Sequence, residues 1–138
     1  MVLSRSLNLP DQAQLWDTAV APTLVAHGPH ADLRRLPSGP EALGLSACEP
    51  QQLMEALAER ECNQVLWECG PDLAAAAIRQ GCVQEIAAVV APKLMGGIAA
   101  RTPLADLGFT GLDQVPCSTW HQSSPLGDDW LLRLMIDS

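Results

Sequence analysis

The sequence predicts an α/β domain, with helices on both faces of a mostly parallel sheet that ends in an antiparallel hairpin. Short apolar runs alternate with a helical pattern in the middle of the chain, which is typical of this class. These runs are nearly all apolar, as expected of strands covered on both faces. Two further apolar runs near the C-terminus are joined by a short polar turn. At this length we expect one domain, residues 1–138.

The first third of the chain contains two short predicted strands. Val2-Leu3 is interpreted as the end of a strand, and residues 23–27 as a second strand closed by Gly28-Pro29. Residues 10–20 predict a loop or a short helical turn after Pro10. Residues 36–50 are rich in Pro, Gly and Ser and predict a loop.

Two helices are predicted from their start and stop signals. Pro50 begins the first, because a missing N–H costs nothing at the first helical position. Its apolar face contains Leu53 and Leu57. The second runs over 72–80, after Gly70-Pro71, and is ended by Gly81.

Apolar runs on either side of the second helix are interpreted as buried strands. They cover residues 64–67 and 85–91, so together with the helix they predict a βαβ crossover and parallel strands. Residues 115–121 and 130–136 predict two more strands, joined by a turn into an antiparallel hairpin at the sheet edge. His121 is expected to lie in that edge strand.

Composition excludes several classes of partner. The net charge is −8 and only Arg34-Arg35 are adjacent basic residues, so we expect no nucleic-acid binding. We expect no membrane span, since no apolar run approaches about 20 residues. The cysteines are odd in number and form no Cys-x-x-Cys pair, which favours free thiols and a cytoplasmic protein. They are Cys48, Cys62, Cys69, Cys82 and Cys117.

The junction at 67–72 is the main candidate site. A strand that leads through Gly70 into a helix offers close backbone approach, unpaired N–H groups and a partial positive charge. The alternative is an ordinary turn that connects a strand to a helix and binds no ligand. Glu68 follows an apolar strand and either hydrogen-bonds a ligand or caps the local backbone. No metal site is expected, because His27 and His30 have metal-like spacing but no third ligand nearby.

The segment 3–6 is a second candidate. Ser4, Ser6 and Arg5 place two hydroxyls and a guanidinium at a strand end, a combination that can hold a phosphate. A solvated strand end is the alternative.

Several motifs, in order, resemble the reductase of the bifunctional riboflavin-biosynthesis deaminase–reductase. They are V-L-W-E-C-G-P-D-L-A at 65–74, Q-E-I at 84–86 and A-P-K-L-M-G-G at 91–97. R-T-P-L at 101–104 and L-G-D-D at 126–129 also resemble that family's tail. The resemblance implies a three-layer α/β/α, dihydrofolate-reductase-like fold and a homodimer. It also implies that NADPH is the cofactor in reducing the ribose of 5-amino-6-(5-phosphoribosylamino)uracil, a pyrimidine ribose phosphate, to ribityl.

The resemblance also implies roles for residues. Glu68 corresponds to the glutamate that contacts substrate. The residues assigned to the cofactor pyrophosphate are Cys69, Gly70, Pro71, Asp72 and Leu73. Ser4 and Arg5 correspond to the place where relatives of the fold recognise the 2′-phosphate of NADPH.

Departures from the family pattern leave alternatives open. The family's N-terminal stretch, with its first strand and a phosphate-binding arginine, has no counterpart in the sequence, so we expect an incomplete domain. Cys69 replaces a usual glycine or alanine, and Ser4 replaces a common aspartate. Two rivals remain: a non-catalytic binding or dimerisation module of the same fold, and another NADPH-dependent reductase acting on a pterin-type heterocycle.

Overall fold

The structure is a computed structural model that describes residues 1–97, 102–115 and 118–136. The chain forms two compact units, residues 1–65 and residues 66–138. Each unit has its own three-stranded sheet.

The N-terminal unit is built on a parallel sheet. Its strands are β1 (Val2–Ser4), β2 (Leu24–His27) and β3 (Glu41–Gly44), in the order β1-β2-β3. The two strands expected at the start of the chain are therefore confirmed. The expected helical turn after Pro10 is also present, as a 3-10 turn at Gln14–Trp16.

The core of the N-terminal unit comes from the central strand and from helix α1 (Pro50–Ala58). Val25 and Ala26 of β2 are fully buried, and so is Leu53 of α1, with Leu57 nearly so. Pro50 occupies the first turn, as its missing N–H predicts. Central strands lose both edges to neighbours, which explains why β2 is the buried strand of the three.

The predicted loop over residues 36–50 is wrong in part, because β3 lies within it. The β3 sequence, E-A-L-G, has no β-branched residue and is flanked by Pro40 and Leu45. Its side chains carry little strand preference. The strand forms because its backbone pairs with β2, from Leu24 against Glu41 to His27 against Gly44.

The C-terminal unit combines helix α2 (Pro71–Arg79) with an antiparallel sheet. Its strands are β4 (Glu85–Val90), β5 (Ser118–Leu126) and β6 (Asp129–Ile136), in the order β4-β6-β5. The C-terminal hairpin is confirmed, with Gly127 in the left-handed region at its turn. Of the first predicted hairpin strand, residues 115–121, residue 115 lies before β5 and residues 116–117 lie outside the described residues.

A β-bulge interrupts the hairpin. The pairing register shifts between Trp120 and Gln122, so His121 is the extra residue on β5. His121 thus lies in a strand at the sheet edge, as expected.

The predicted βαβ crossover over residues 64–91 is wrong. Residues 64–67 form no strand, and β4 pairs antiparallel with β6. Burial along 65–70 alternates residue by residue, as along an extended chain with one covered side, and Leu66 is 77% exposed. Strand formation depends on a cross-strand partner more than on apolar content, and this segment pairs with no strand among the described residues.

Helix α2 has the predicted limits to within one residue. Gly81 has a φ of +67°, and its N–H donates to the Ile78 carbonyl, which ends the helix. Two alanines, Ala75 and Ala77, are fully buried. No helix in the described part of the chain is long and apolar enough to cross a membrane.

Candidate functional site

The carboxyl ends of the three parallel strands meet at one edge of the N-terminal sheet. Ser4, His27 and Gly44 lie in one row across it, at the last position of β1, β2 and β3. Ligands of α/β proteins collect beyond this edge. Arg5 follows directly in the chain, so this edge carries the predicted Ser4-Arg5 pair.

Ser4 supports the turn that follows β1. Its hydroxyl oxygen accepts a hydrogen bond of 3.2 Å from the Leu7 backbone N–H. Leu7 has a φ of +58° and is buried, so this bond helps to hold an unusual backbone conformation. The Ser4 O–H is still a potential donor to a ligand.

Arg5 lines a shallow cavity of about 210 Å³ at the same edge. Its Nη2 atom lies 3.3 Å from Oε1 of Glu49, and its side chain is 79% exposed. The other lining residues come from two further segments of the chain and are Gly28, Pro29, His30, Ala47, Cys48 and Glu49. The guanidinium is therefore both accessible and within reach of an acid.

Gly28 allows these segments to approach one another. It is buried, and a Cβ atom there would lie 3.2 Å from the Arg5 carbonyl oxygen and 3.5 Å from the Cys48 Cβ. Any side chain at position 28 would press on this wall of the cavity. Burial raises the pKa of the Cys48 thiol and the nearby charge of Glu49 adds to that rise, while the charge of Arg5 opposes it.

The second candidate site is the turn that leads into α2. Gly70 is the N-cap residue with a φ of −72°, and a Cβ atom built on it would meet nothing within 4 Å. Pro71 occupies the first helical position, so the free N–H groups of the first turn begin at Asp72. The Asp72 carboxylate interacts favourably with the positive end of the helix dipole but would repel an anion in the same place. Leu73 is half-buried.

Glu68 is exposed, whereas its neighbours Trp67 and Cys69 are half-buried. The Trp67 indole N–H donates to the Cys82 carbonyl at 3.2 Å, which anchors the segment next to Glu68. Burial raises the pKa of the Cys69 thiol, so it stays protonated at neutral pH.

The segment 102–108 runs along α2. The Ala105 N–H donates to the Pro71 carbonyl at 3.2 Å, and the Arg79 guanidinium donates to the Asp106 carbonyl at 2.8 Å. These two bonds hold the segment at both ends of the helix, and the first touches the turn at Gly70. Arg101, in the R-T-P-L motif, lies outside the described residues.

The predicted site residues thus fall into two groups. Ser4 and Arg5 belong to the N-terminal unit, and residues 68–73 belong to the C-terminal unit. Sequence reasoning missed the other residues of the Arg5 cavity, above all Gly28, Cys48 and Glu49. The Gly28-Pro29 pair directly follows a strand end, where a binding residue could be expected. The same pair is equally typical of a strand end that binds nothing.

Among the residues that the structure describes, His27 and His30 belong to no metal-binding cluster. His27 Nδ1 lies 3.0 Å from the Gly28 carbonyl oxygen, and the His27 ring packs over Gly44. Within the described ranges, no group of three or more His, Cys, Asp or Glu side chains could hold a metal ion.

Comparison with known proteins assigns the fold and the family. The fold matches that of Acinetobacter baumannii RibD, form 2, with a TM-score of 0.81 at 24% identity, covering 99% of this chain and 37% of that one. It also matches a pyrimidine reductase-like protein from Corynebacterium diphtheriae, with a TM-score of 0.73 at 18% identity, covering 99% and 60%. The chain is thus an α/β protein of the dihydrofolate-reductase-like fold, as predicted.

The family follows from sequence. The model of the RibD C-terminal domain matches residues 1–132. Riboflavin biosynthesis protein RibD of Synechocystis is 47% identical over 135 residues, covering 95% of this chain and 37% of the relative. The chloroplastic riboflavin biosynthesis protein PYRR of Arabidopsis thaliana is 36% identical over 118 residues, covering 83% and 20%. The chain belongs to the RibD C-terminal domain family.

The family assignment confirms the resemblance found in the motifs. The chain spans about a third of the length of the Synechocystis relative, 37%.

Proposed function

We propose that the chain is a reductase of riboflavin biosynthesis that uses NADPH to convert the ribose of 5-amino-6-(5-phosphoribosylamino)uracil to ribityl. The observation that carries the proposal is the 47% identity to a riboflavin biosynthesis protein over 95% of the chain. We further propose that residues 1–138 act as one reductase domain in the cytoplasm. The partners would be a small pyrimidine ribose phosphate and a second copy of the chain, with no nucleic acid and no membrane.

The reaction determines what the protein must provide. Bound NADPH would supply a hydride to C1′ of the ribose. C1′ can accept the hydride only as its bond to the ring oxygen breaks, and the ring oxygen then takes up one proton. The protein must orient the substrate, hold both charged ligands and keep water from the reacting carbon.

We propose that Glu68 orients the substrate. Its carboxylate is exposed and therefore accessible to a ligand, while Trp67 on one side is anchored by its bond to the Cys82 carbonyl. A ligand contact is favoured over a backbone cap, because α2 has Gly70 as its N-cap and no side chain caps it. A carboxylate in this position can accept hydrogen bonds from ribose hydroxyls.

We propose two cofactor contacts, each within its own unit. Residues 69–73 would hold the pyrophosphate, since Gly70 leaves open space and the first turn of α2 offers backbone N–H groups. Ser4 and Arg5 would recognise the 2′-phosphate of NADPH. The exposed guanidinium and the cavity beside it support this second contact.

The rival functions make different predictions. A non-catalytic module of the same fold would bind a ligand or a second copy without turnover. A pterin-type reductase would consume NADPH only with its own heterocycle. The assay is NADPH consumption by the chain as encoded in its genome, with the pyrimidine ribose phosphate and with a dihydropterin as the control substrate.

The expected result is NADPH consumption with the pyrimidine, and a product heavier by two hydrogens in mass spectrometry. Consumption with the dihydropterin alone would replace the substrate assignment. Binding of NADPH without consumption of either substrate would favour the non-catalytic module. Sedimentation tests the dimer in the same preparation, and a monomer at micromolar concentration would contradict it.

A further inference from the structure

The cavity beside Arg5 contains opposite charges. Arg5, which follows β1, and Glu49, the residue just before α1, both line it. The Nη2 and Oε1 atoms of the pair are 3.3 Å apart, with side-chain exposures of 79% and 42%. Ion pairs this exposed are weak, so a ligand can compete with either partner.

Both charges act inside the cavity. Cys48 lines the same cavity, and beyond the rise that burial causes, the charge of Arg5 lowers its pKa and the charge of Glu49 raises it. A ligand seated against Cys48 would experience the same two fields. Gly28 keeps this wall open, since a side chain there would press on Cys48 and Arg5.

An acid beside Arg5 acts differently on an adenosine ribose with a 2′-phosphate and on one with a 2′-hydroxyl. A 2′-phosphate carries a charge of about −1.5 to −2 near neutral pH, so Glu49 repels it while Arg5 attracts it. A 2′-hydroxyl is neutral and can donate a hydrogen bond to a carboxylate. Arg5 has five N–H donors, so it can contact a phosphate while still paired with Glu49.

We propose that Glu49 is a specificity-determining residue that lowers the preference of this cavity for a 2′-phosphate over a 2′-hydroxyl on a bound adenine nucleotide. The inference rests on the proposed function, because it takes Arg5 as the phosphate anchor. Glu49 is not required for nucleotide binding. It sets how strongly the chain distinguishes the phosphorylated from the unphosphorylated cofactor.

The test uses two small probes that differ only at the ribose 2′ position. Calorimetry measures the affinities of the whole chain for adenosine 2′,5′-bisphosphate and for adenosine 5′-monophosphate. The variants are Glu49→Gln, which keeps the shape and removes the charge, and Arg5→Ala. The matched control is Glu59→Gln, an exposed acid at the other end of α1, roughly 15 Å away along the helix.

We expect Glu49→Gln to bind the bisphosphate about fivefold more tightly than the wild type, with no gain for the monophosphate. The gain should shrink in high salt, because exposed charges are screened over about 10 Å at 0.1 M. Glu59→Gln should leave both affinities unchanged. Circular dichroism and a second variant, Glu49→Ala, separate loss of charge from a folding defect.

The contrary outcomes are distinct. If Arg5→Ala weakens the bisphosphate and Glu49→Gln changes nothing, the role of Glu49 is overturned and Arg5 keeps its assignment. If Arg5→Ala has no effect on the bisphosphate, the 2′-phosphate contact of the proposed function fails, and the role of Glu49 fails with it. If neither probe binds, the cofactor assignment fails as a whole.

Discussion

The cavity beside Arg5 is built from three segments of the N-terminal unit, whereas the turn at Gly70 belongs to one continuous stretch of the C-terminal unit. Arg5 and Glu49 are 44 residues apart in sequence and meet only because the sheet and α1 bring them together. The turn at Gly70 needs little tertiary support, since a proline and a glycine already fix where the helix begins.

The two sites depend on different features of the structure for their shape. The cavity depends on the packing of the N-terminal core, with Val25, Ala26 and Leu53 fully buried. The turn depends on open space around Gly70 and on the few bonds that hold its neighbours. Substitutions in the core that supports the cavity should therefore affect folding, whereas substitutions at the turn should affect ligand binding with little effect on folding.

The largest effect should come from Leu53→Ala in the core of the N-terminal unit. Leu53 is fully buried, so its loss should cost about 2–5 kcal/mol of unfolding free energy. Leu94→Ala is the matched control, because Leu94 is fully exposed and its loss should change stability by less than about 0.5 kcal/mol. Urea unfolding measures both. Similar costs for the two variants would contradict a separate N-terminal core.

Glu68→Gln tests the C-terminal site by activity rather than stability. If Glu68 orients substrate, turnover should fall by about tenfold or more, because a lost charged hydrogen bond costs about 1.5–3 kcal/mol. The melting temperature and the affinity for NADPH should not change, since the side chain is exposed. A variant with full turnover and lower stability would make Glu68 a structural cap and remove it from the site.

Substitutions of Gly28 and Gly70 allow a direct comparison of the two sites. Gly28→Ala should destabilise the chain by about 1–3 kcal/mol, because the new Cβ would lie 3.2 Å from a backbone oxygen. Gly70→Ser should stabilise α2 by a few tenths of a kcal/mol through an N-cap hydroxyl, roughly 0.3. The same serine would reduce NADPH affinity by occupying the space proposed for the pyrophosphate. If thermal unfolding shows equal losses for both variants, the contrast between the sites is wrong.

The smallest effect concerns pH and the C-terminal sheet. Arg133 donates hydrogen bonds to both carboxylate oxygens of Glu85, and they hold the pKa of Glu85 below its usual range. Since the pKa is lower in the folded state, the pair stabilises the fold above the ordinary carboxyl pKa. That contribution is lost as pH falls through the folded value.

Melting temperatures of the wild type and Glu85→Gln should therefore differ at about pH 7 and converge toward about pH 3. Glu55→Gln, an exposed acid that accepts a hydrogen bond from Gln51 on α1, is the control from the N-terminal unit. A difference between wild type and Glu85→Gln that grows as the pH falls would have the wrong sign for this account.

Local signals predicted the helices better than the strands. Pro50, Pro71 and Gly81 mark helix ends through their own backbone chemistry, and the structure places the ends there. The strand over residues 64–67 was wrong and β3 was missed, for the same physical reason. Apolar content does not make a strand without a partner, and a partner can make one from E-A-L-G.

The two candidate sites also differ in how well the local sequence predicts them. The turn at 68–73 is contiguous and was readable as a motif. The position of Arg5 after a strand end makes it a candidate from sequence, but nothing in the sequence pairs Arg5 with residues as distant as Cys48 and Glu49. Only the parallel pairing of β1, β2 and β3 places these segments at one edge.

The contact proposed between Arg5 and the 2′-phosphate requires the chain to prefer NADPH over NADH. Calorimetric titration of the chain with NADPH and with NADH tests it most directly. We predict that NADPH binds about tenfold more tightly, since a charged hydrogen bond between Arg5 and the phosphate contributes at least about 1.4 kcal/mol. Equal affinities for the two cofactors would exclude a stabilising contact between Arg5 and the 2′-phosphate.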